Sequence, residues 1–399
     1  MKIVHITNFY VPNLGYQENF LPSEQKKCGH DVSIITSDRA PSYTGYEKHV
    51  GKIIGDRVIG VGTCTENGVT IYRLPTIYEV EDGGQVLLRG LYKLLVKLNP
   101  DVVHAHVAFS PLTVQAILYS RKLKYRVFVD DHSNVDNFHL TSLIKKLYVQ
   151  LVKAFYYFFG DRVEMFFPVT YATTDLLKRV LKVPEQRLAL LPLSANTDRF
   201  NKSLETRRIG RNKLGIGGNE KLIVTAGKLD EQKDIEYLIK AINHVIERKP
   251  LIKLLIIGNG TQEYMSNLKS LVNRLKLTDK VVFMDFVPNK ELPKYYNAGD
   301  IGVWPGTNSI TAIEAAATGL PLVLPDHDLA YKILFNNQAA VGFKRRNVKS
   351  LANAILDLLD NSELSNQIVN NSSRLFTETL SWKGIAQKSI DTYKSALKV

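Results

Sequence analysis

Short runs of apolar, mostly β-branched residues alternate with amphipathic segments along the whole chain. Strands are predicted at residues 3–6, 32–36, 102–104, 126–129, 222–226, 253–257, 281–283 and 301–303. Helices are predicted at residues 17–27, 235–247, 262–275 and 291–296. The first of these helices precedes Gly29, a residue type that commonly ends helices. Continuous apolar strands that alternate with helices predict parallel sheets covered on both faces, an α/β fold.

The pattern occurs twice and predicts two doubly wound, Rossmann-like domains. A chain of 399 residues is longer than one hydrophobic core usually supports. The first domain is predicted at 1–200 and the second at 201–381, with the Lys-, Arg- and Gly-rich stretch 201–220 as a linker. One more helix is predicted at 382–399. Doubly wound sheets bind ligands at the carboxyl ends of their strands, so we expect two such sheets to face a central cleft that holds the site.

Composition favours a cytoplasmic protein. Apolar residues make up 45% of the chain, as in globular proteins, and no apolar stretch has the length of a membrane span. The sequence starts directly with a strand-like run instead of a secretion signal. Cys28 and Cys64 are too few for a disulfide framework or a cysteine-rich metal site.

The net charge of the chain limits the classes of partner that it is expected to bind. A net charge of +13 is compatible with nucleic acid, an anionic membrane surface or phosphate-bearing substrates. The basic residues are spread over the chain and no nucleic-acid-binding motif is visible. We therefore expect phosphate-bearing substrates and an anionic membrane surface as partners, and no nucleic acid.

A polar loop after the predicted strand 301–303 is a candidate anion site. The loop covers 306–309, and a helix is predicted to begin near Ile310. Free amides and the dipole at a helix start favour an anion. Glu314 lies one turn into this helix, where its carboxylate could accept hydrogen bonds from a ribose diol. The alternative is a capped helix whose Glu314 faces solvent.

A second polar loop follows the predicted strand 222–226. Lys228 and Lys233 flank it and could neutralise a diphosphate, although solvated surface lysines give the same pattern. Gly258 and Gly15 each stand in a strand-to-helix turn, which by itself indicates only a sharp bend or a close approach.

Histidines stand at the ends of predicted strands of the first half. His104, His106 and His132 are expected to project from the edge of the sheet, and the alternative for each is a hydrogen-bonded histidine of the core.

Six segments in the same order resemble the family 4 glycosyltransferases of the GT-B fold, over nearly the whole chain. They are the start with Gly29-His30-Asp31, the stretch Asp101-Val102-Val103-His104-Ala105-His106, and the segments 191–200, 227–233, 282–287 and 304–321. The last of these contains the helix with Glu314.

The resemblance implies roles for individual residues. Lys233 would bind the donor diphosphate, with Lys228 where the family usually has Arg, and Glu314 would hold the ribose hydroxyls. His132 would meet the transferred sugar and, with Tyr16 and His106, the acceptor side. The other residues implied in donor binding are Gly306, Thr307, Asn308, Ser309, Ile310, Thr311, Gly258, Val287 and Gly15.

The resemblance also implies an activity. Such an enzyme moves a hexose or N-acetylhexosamine from a nucleoside-diphosphate sugar, such as a UDP-sugar, to a glycan or lipid-linked acceptor, with retention of configuration. It uses no metal and no cofactor beyond the donor, and it serves the synthesis of cell-surface polysaccharide or glycolipid. The helix 382–399 would pack on the first domain. The basic and aromatic stretch 142–159 could lie on the inner face of the membrane, or could equally pack under the first sheet.

Two departures from the family pattern leave alternatives open. Gly306 stands where the family has the first of two glutamates, and Tyr16 replaces a glycine. A non-catalytic protein that binds sugar nucleotides, a GT-B nucleotide-sugar epimerase and a phosphorylase therefore remain alternatives. A nicotinamide-dependent dehydrogenase would need the Gly-x-Gly-x-x-Gly pattern after the first strand, which this chain does not have.

Overall fold

The computed structural model describes residues 1–12, 16–42, 55–80, 84–133, 143–306 and 309–398, in two compact units. The first unit consists of residues 1–192 and the C-terminal segment from Trp382, and the second of residues 193–381. The boundary lies eight residues before the one that the sequence predicts at 200. None of the helices within the described ranges is long and apolar enough to cross a bilayer.

A seven-stranded sheet forms the centre of the first unit. Its strands are β1 (Lys2–Ile6), β2 (Asp31–Ser37), β3 (Gly62–Glu66), β4 (Val69–Leu74), β7 (Val102–His106), β8 (Arg126–Asp131) and β9 (Val163–Pro168). They lie in the order β3-β4-β2-β1-β7-β8-β9, and every pair is parallel except β3 with β4. Strands β5 (Thr76–Val80) and β6 (Gln85–Leu88) form a separate antiparallel pair. Without the edge strand β3, this is the strand order of a Rossmann domain, which changes direction between β1 and β7.

The helices of the first unit cover its sheet. They are α1 (Gln17–Lys27), α2 (Leu91–Leu98), α3 (Pro111–Leu123), α4 (Leu143–Phe159), α5 (Tyr171–Val180) and α14 (Trp382–Leu397). The helix α14 comes from the end of the chain and packs against α1, where the rings of Phe20 and Trp382 stack with centroids 5.3 Å apart. The last helix of the sequence thus completes the first unit.

The second unit has a six-stranded, fully parallel sheet. Its strands are β10 (Lys221–Ala226), β11 (Ile252–Ile257), β12 (Val281–Met284), β13 (Ile301–Val303), β14 (Leu322–Pro325) and β15 (Val341–Phe343). Their order β12-β11-β10-β13-β14-β15 is again that of a Rossmann domain, with the change of direction between β10 and β13. Because strand side chains alternate between the two faces, Leu222 and Val224 join one buried cluster and Ile223 joins the other.

Eight helices within the described ranges belong to this second unit. They are α6 (Leu204–Leu214), α7 (Ile235–Arg248), α8 (Gln262–Arg274), α9 (Leu292–Ala298), α10 (Ile310–Ala317), α11 (Lys332–Asn336), α12 (Val348–Asp360) and α13 (Ser362–Glu378). The prediction of a linker at 201–220 is wrong, because α6 occupies much of that stretch and packs on α9. Gly210 makes this close packing possible, since a Cβ there would lie 2.2 Å from the carbonyl oxygen of Lys294.

Candidate functional site

A small cavity, partly open to solvent, lies at the carboxyl ends of β10 and β13 in the second unit. The sheet changes direction between these two strands, which is where doubly wound sheets bind ligands. The cavity is lined by Thr225, Ala226, Lys228, Leu229, Lys233, Ile235, Trp304, Pro305, Gly306 and Ser309. It therefore brings together four residues that the sequence placed at a donor site, from two segments about seventy-five residues apart.

Hydrogen bonds hold the start of α10 against the end of β10. The hydroxyl of Thr311 donates to the carbonyl oxygen of Ala226 at 2.7 Å and lies 2.6 Å from the Ser309 hydroxyl. The indole N–H of Trp304 donates to the same carbonyl at 2.8 Å. The amides at the start of α10 are thus fixed beside the cavity, where a helix N-terminus favours negative charge.

Two ion pairs fix the loop that carries the two lysines, at the residue that follows Lys233. Asp234 is fully buried, and its two carboxylate oxygens accept from Arg345 Nε at 2.8 Å and Arg346 Nε at 2.9 Å. Both arginines follow β15, more than a hundred residues away in the sequence. We call Asp234, Arg345 and Arg346 the arginine clamp; it fixes the residue next to Lys233.

The cavity is electropositive. Burial lowers the pKa of Lys233, and the nearby charges of Lys228 and Arg345 lower it further, against a raising effect of Asp230. Lys228 is largely exposed, with Nζ 3.5 Å from Asp230. An anion would relieve the repulsion between Lys233 and these neighbouring cations, so the cluster suits a phosphate group.

Gly306 allows the two loops to meet at the cavity. A Cβ at this position would lie 2.2 Å from the carbonyl oxygen of Gln232 and 2.4 Å from Cα of Lys233. Real Cβ contacts are never this short, so any side chain at 306 would push the lysine loop away. The glutamate of the family pattern has no room here.

Glu314 lies one turn into α10 and is only 5% exposed. One carboxylate oxygen, Oε1, accepts from Asn289 Nδ2 at 2.7 Å, and the other, Oε2, is buried with no hydrogen-bond partner within the described ranges. Burial raises its pKa to about 7, although the hydrogen bond from Asn289 and the charge of Arg199 oppose this. A buried oxygen without a donor indicates a place for a ligand hydroxyl.

The first unit holds a buried polar network at the carboxyl ends of β1, β7 and β8. The carboxylate of Asp130 lies 2.6 Å from His106 Nδ1 and 3.1 Å from His104 Nε2. The rings of His5, His104 and His106 stack with centroids 4.9 to 5.2 Å apart. On the far side, Tyr393 of α14 is hydrogen-bonded to His104.

Among the described residues, His104, His106 and Asp130 form the one cluster compact enough to consider for a metal ion. Ligands about 2.1 Å from a tetrahedral metal are roughly 3.4 Å apart. The distance of 2.6 Å between Asp130 Oδ2 and His106 Nδ1 is shorter than this and is that of a direct contact between a carboxylate and a histidine. The side chains of this cluster therefore contact one another directly.

The expectation that His106 projects from the sheet edge is corrected by this network. Its side chain is only 1% exposed and contacts Asp130 and His5, so it cannot meet an acceptor. His104 is likewise fully buried. His132 is partly exposed at the end of β8, and Tyr16 is half-exposed at the start of α1.

The remaining predicted donor residues fall into three groups. Gly258 contacts the backbone of Gly227, since a Cβ there would lie 1.8 Å from the Gly227 carbonyl oxygen. Val287 follows β12 and packs against one of the two buried clusters, and Ile310 is the first residue of α10. Thr307, Asn308 and Gly15 lie outside the described residues.

Sequence reasoning missed the arginine clamp and most of the buried network. The pair Arg345-Arg346 carries no signal that connects it to Asp234. Polar residues inside otherwise apolar strands, such as His5 in β1 and Asp130 in β8, were the available sign of a network.

Comparison with known proteins gives matches in both units. Residues 23–199 match the family described as Glycosyltransferase Family 4, and residues 206–375 match the family described as Glycosyl transferases group 1. Together the two matches cover most of the chain.

Individual proteins are more distantly similar. An uncharacterized glycosyltransferase of Methanocaldococcus jannaschii is 31% identical over 225 residues, which are 55% of this chain and 57% of that protein. Alpha-monoglucosyldiacylglycerol synthase of Streptococcus pneumoniae is 25% identical over 374 residues, 90% of this chain and 78% of that protein. The structure of Anabaena HepE in complex with UDP has a TM-score of 0.76 at 14% identity, covers 99% of this chain and 100% of that chain, and shares the fold.

Proposed function

We propose that this chain, which belongs to the group 1 and family 4 glycosyltransferases and has their GT-B fold, transfers a hexose or N-acetylhexosamine from a nucleoside-diphosphate sugar to a glycan or lipid-linked acceptor. The observation that carries the proposal is the cavity at the carboxyl ends of β10 and β13. There Lys228 and Lys233 face the start of α10.

The donor diphosphate would lie in this cavity. Its negative charge increases as the sugar departs, and fixed cations and amide dipoles stabilise such charge without reorganising. Lys233 would contact the diphosphate, Lys228 would approach from the exposed side, and the amides of Ser309, Ile310 and Thr311 would cradle it. A departing phosphate oxygen can itself accept the proton of the acceptor hydroxyl, so retention on one face requires no side-chain nucleophile.

The nucleoside would be held through its ribose. The free oxygen Oε2 of Glu314 is placed to accept a hydrogen bond from a hydroxyl, and Asn289 keeps the carboxylate in position. Val287, after β12, would lie toward the base. A carboxylate that is buried without a donor is costly, and a ribose diol would relieve this cost.

The acceptor side would belong to the first unit, and α4 supports a lipid-linked acceptor. Its residues Leu143, Leu147, Leu151 and Phe158 follow helical spacing and form one exposed apolar stripe; Leu143 is 82% exposed. The opposite face of α4 is buried in the unit.

The charge of α4 fits an anionic bilayer. The helix carries Lys145, Lys146 and Lys153 and no acidic residue. A basic helix with an exposed apolar stripe lies in the interface of anionic membranes. The relative from Streptococcus pneumoniae is by name a glycolipid synthase, which agrees with a peripheral protein of the inner membrane face that makes glycolipid or cell-surface polysaccharide.

A donor screen followed by turnover tests the proposal. Thermal shifts with UDP-, GDP- and ADP-sugars identify the donor, because a ligand stabilises the folded state in proportion to its occupancy. With that donor, Lys233→Ala is expected to lower turnover about a hundredfold or more. The matched control Lys269→Ala, on the exposed face of α8, is expected to leave turnover unchanged. Equal turnover of the two variants would remove Lys233 from the mechanism.

Gly306 favours one alternative, a non-catalytic protein that binds sugar nucleotides. Such a protein would give thermal shifts with a donor but neither hydrolysis nor transfer above background. Product analysis with and without an acceptor also distinguishes a transferase from an epimerase, which needs no acceptor.

A further inference from the structure

The two oxygens of the Asp130 carboxylate have different neighbours. Its Oδ2 lies within 3.1 Å of nitrogens of Gln17, His104 and His106. Its Oδ1 lies 3.3 Å from the amide nitrogen of Val107 and 3.7 Å from Nε2 of His132. Oδ2 is therefore surrounded by three nitrogen atoms, and Oδ1 is the oxygen that faces His132.

The imidazole of His132 is partly buried, with Nε2 on its buried side. Its Nε2 is buried and has no hydrogen-bond partner within the described ranges, while 31% of the side chain is exposed. The exposed part of the ring excludes Nε2, so Nδ1 is the nitrogen left for a substrate. In a neutral imidazole one nitrogen donates and the other accepts, and the surroundings decide which.

We propose that Asp130 is a positioning residue that keeps the proton of His132 on Nε2, so that Nδ1 is the hydrogen-bond acceptor that His132 offers to a sugar hydroxyl. A ring nitrogen that faces an ionised carboxylate is stabilised electrostatically when it carries hydrogen. The inference rests on the proposed function only for the identity of the hydroxyl.

The groups around Asp130 keep it ionised. Burial raises the pKa of Asp130, but the charge of His106 and the hydrogen bonds from His104 and His106 outweigh burial and hold the pKa well below its ordinary value. Gln17 of α1 adds a neutral donor. The carboxylate of Asp130 is thus an anion at neutral pH, next to His132.

The three buried histidines near Asp130 differ in the direction of their pKa shifts. Burial lowers the pKa of His106, but Asp130 raises it above the ordinary value, and more distant Glu18 adds to this. Burial lowers the pKa of both His5 and His104. Of these three buried histidines, His106 is therefore the one best suited to carry a positive charge beside Asp130.

Among the described residues, Asp131 and the phenol of Tyr393 are two further titratable groups near this pair. Burial raises the pKa of Asp131 and of Tyr393. The two oxygens of Asp131 already have donors, because Oδ2 accepts from the amide of Ala108 and Oδ1 from the amide of Ser133.

The protonated nitrogen of His132 can be measured directly in the full-length chain. Protein labelled with ¹⁵N-histidine gives distinct ¹⁵N shifts for protonated and unprotonated ring nitrogens, and a His132→Gln sample identifies the signals of this residue. At pH 8 we expect hydrogen on Nε2 and none on Nδ1. Hydrogen on Nδ1, or on both nitrogens, would overturn the assignment without any variant of Asp130.

The variant Asp130→Asn keeps the shape and removes the charge. We expect its His132 signals to show a mixture of the two tautomers and its kcat to fall at least about tenfold, with KM for the donor within about twofold. Unchanged His132 signals in this variant would contradict the positioning role. The matched control Tyr393→Phe loosens the far side of the same network, and it is expected to leave the His132 tautomer unchanged. An equal change in Tyr393→Phe would mean a general loss of packing and would overturn the assignment to Asp130.

The two readouts separate this inference from the proposed function. A chain that transfers sugar but carries hydrogen on Nδ1 of His132 refutes the inference alone. A chain with the expected tautomer but no transfer with any donor refutes the proposed function and leaves the Asp130–His132 pairing in place.

Discussion

Glu314 should make the stability of the second unit depend on pH. Its pKa in the folded chain is raised to about 7 by burial, from an ordinary value of 4.5. Between these two values the folded state binds more protons than the unfolded state, so stability falls as pH rises. A difference of about 2.5 pH units, at about 1.4 kcal/mol each, amounts to about 3 kcal/mol lost between pH 4.5 and pH 8.

The variant Glu314→Gln removes this dependence. Urea unfolding of wild type and variant at pH 4.5 and pH 8, each extrapolated to water, gives the free energy of unfolding under both conditions. As pH rises from 4.5 to 8, the wild type should lose about 3 kcal/mol more of its free energy of unfolding than the variant does. Other titrating groups contribute equally to both proteins and cancel in the comparison.

An exposed carboxylate provides the control. Glu378 lies on the exposed face of α13, and Glu378→Gln should follow the wild type at both pH values. If Glu314→Gln and the wild type change in parallel, Glu314 titrates normally and the argument from burial is refuted. A saturating concentration of donor should also reduce the pH dependence of wild-type stability, because ribose hydroxyls favour the ionised form of Glu314. For the same reason, the affinity for the donor should be about tenfold weaker at pH 6 than at pH 8.

Three further predictions concern the loops and the exposed helix. Gly306→Ala should displace the lysine loop and weaken donor binding at least about tenfold by calorimetry, whereas Gly218→Ala, where a Cβ meets open space, should not. Asp234→Asn should weaken donor binding by a similar factor, because the arginine clamp no longer holds the residue beside Lys233. Leu147→Glu should reduce co-sedimentation with anionic vesicles several-fold, while the equally exposed Leu251→Glu in the second unit should not.

Each of these predictions has a clear counter-result. Donor binding of Gly306→Ala at wild-type strength would mean that the two loops do not touch in solution. Full donor affinity in Asp234→Asn would show that the lysine loop needs no clamp. Wild-type protein that stays in the supernatant with anionic vesicles would rule out the membrane surface on α4.

The sequence was informative where structure depends on local periodicity. All eight predicted strands overlap observed strands. Those of the second unit form one parallel sheet, because a run such as 254–257 is wholly apolar and is buried on both faces. The position of the cavity could also be predicted from the sequence, because both of its loops follow strands that a doubly wound sheet places side by side.

The predictions from the sequence were wrong where contacts between residues distant in the sequence determine the structure. Composition suggested a linker at 201–220, but Arg207 and Arg211 of α6 bind Asp300, which the sequence cannot reveal. His106 looked like a surface residue because its partner Asp130 comes from another strand. The contact between Gly306 and the lysine loop likewise depends on how two loops pack, which no local pattern encodes.

The packing of α14 on α1 has a consequence for how the chain acquires its structure during synthesis. The buried amide of Gln25 donates to Ser389, so a side chain made early finds its partner only after a residue 364 positions later has been made. The contiguous residues 193–381 can therefore finish folding before the unit that precedes them. A shortened message that lacks the last helix would damage the beginning of the protein more than its middle.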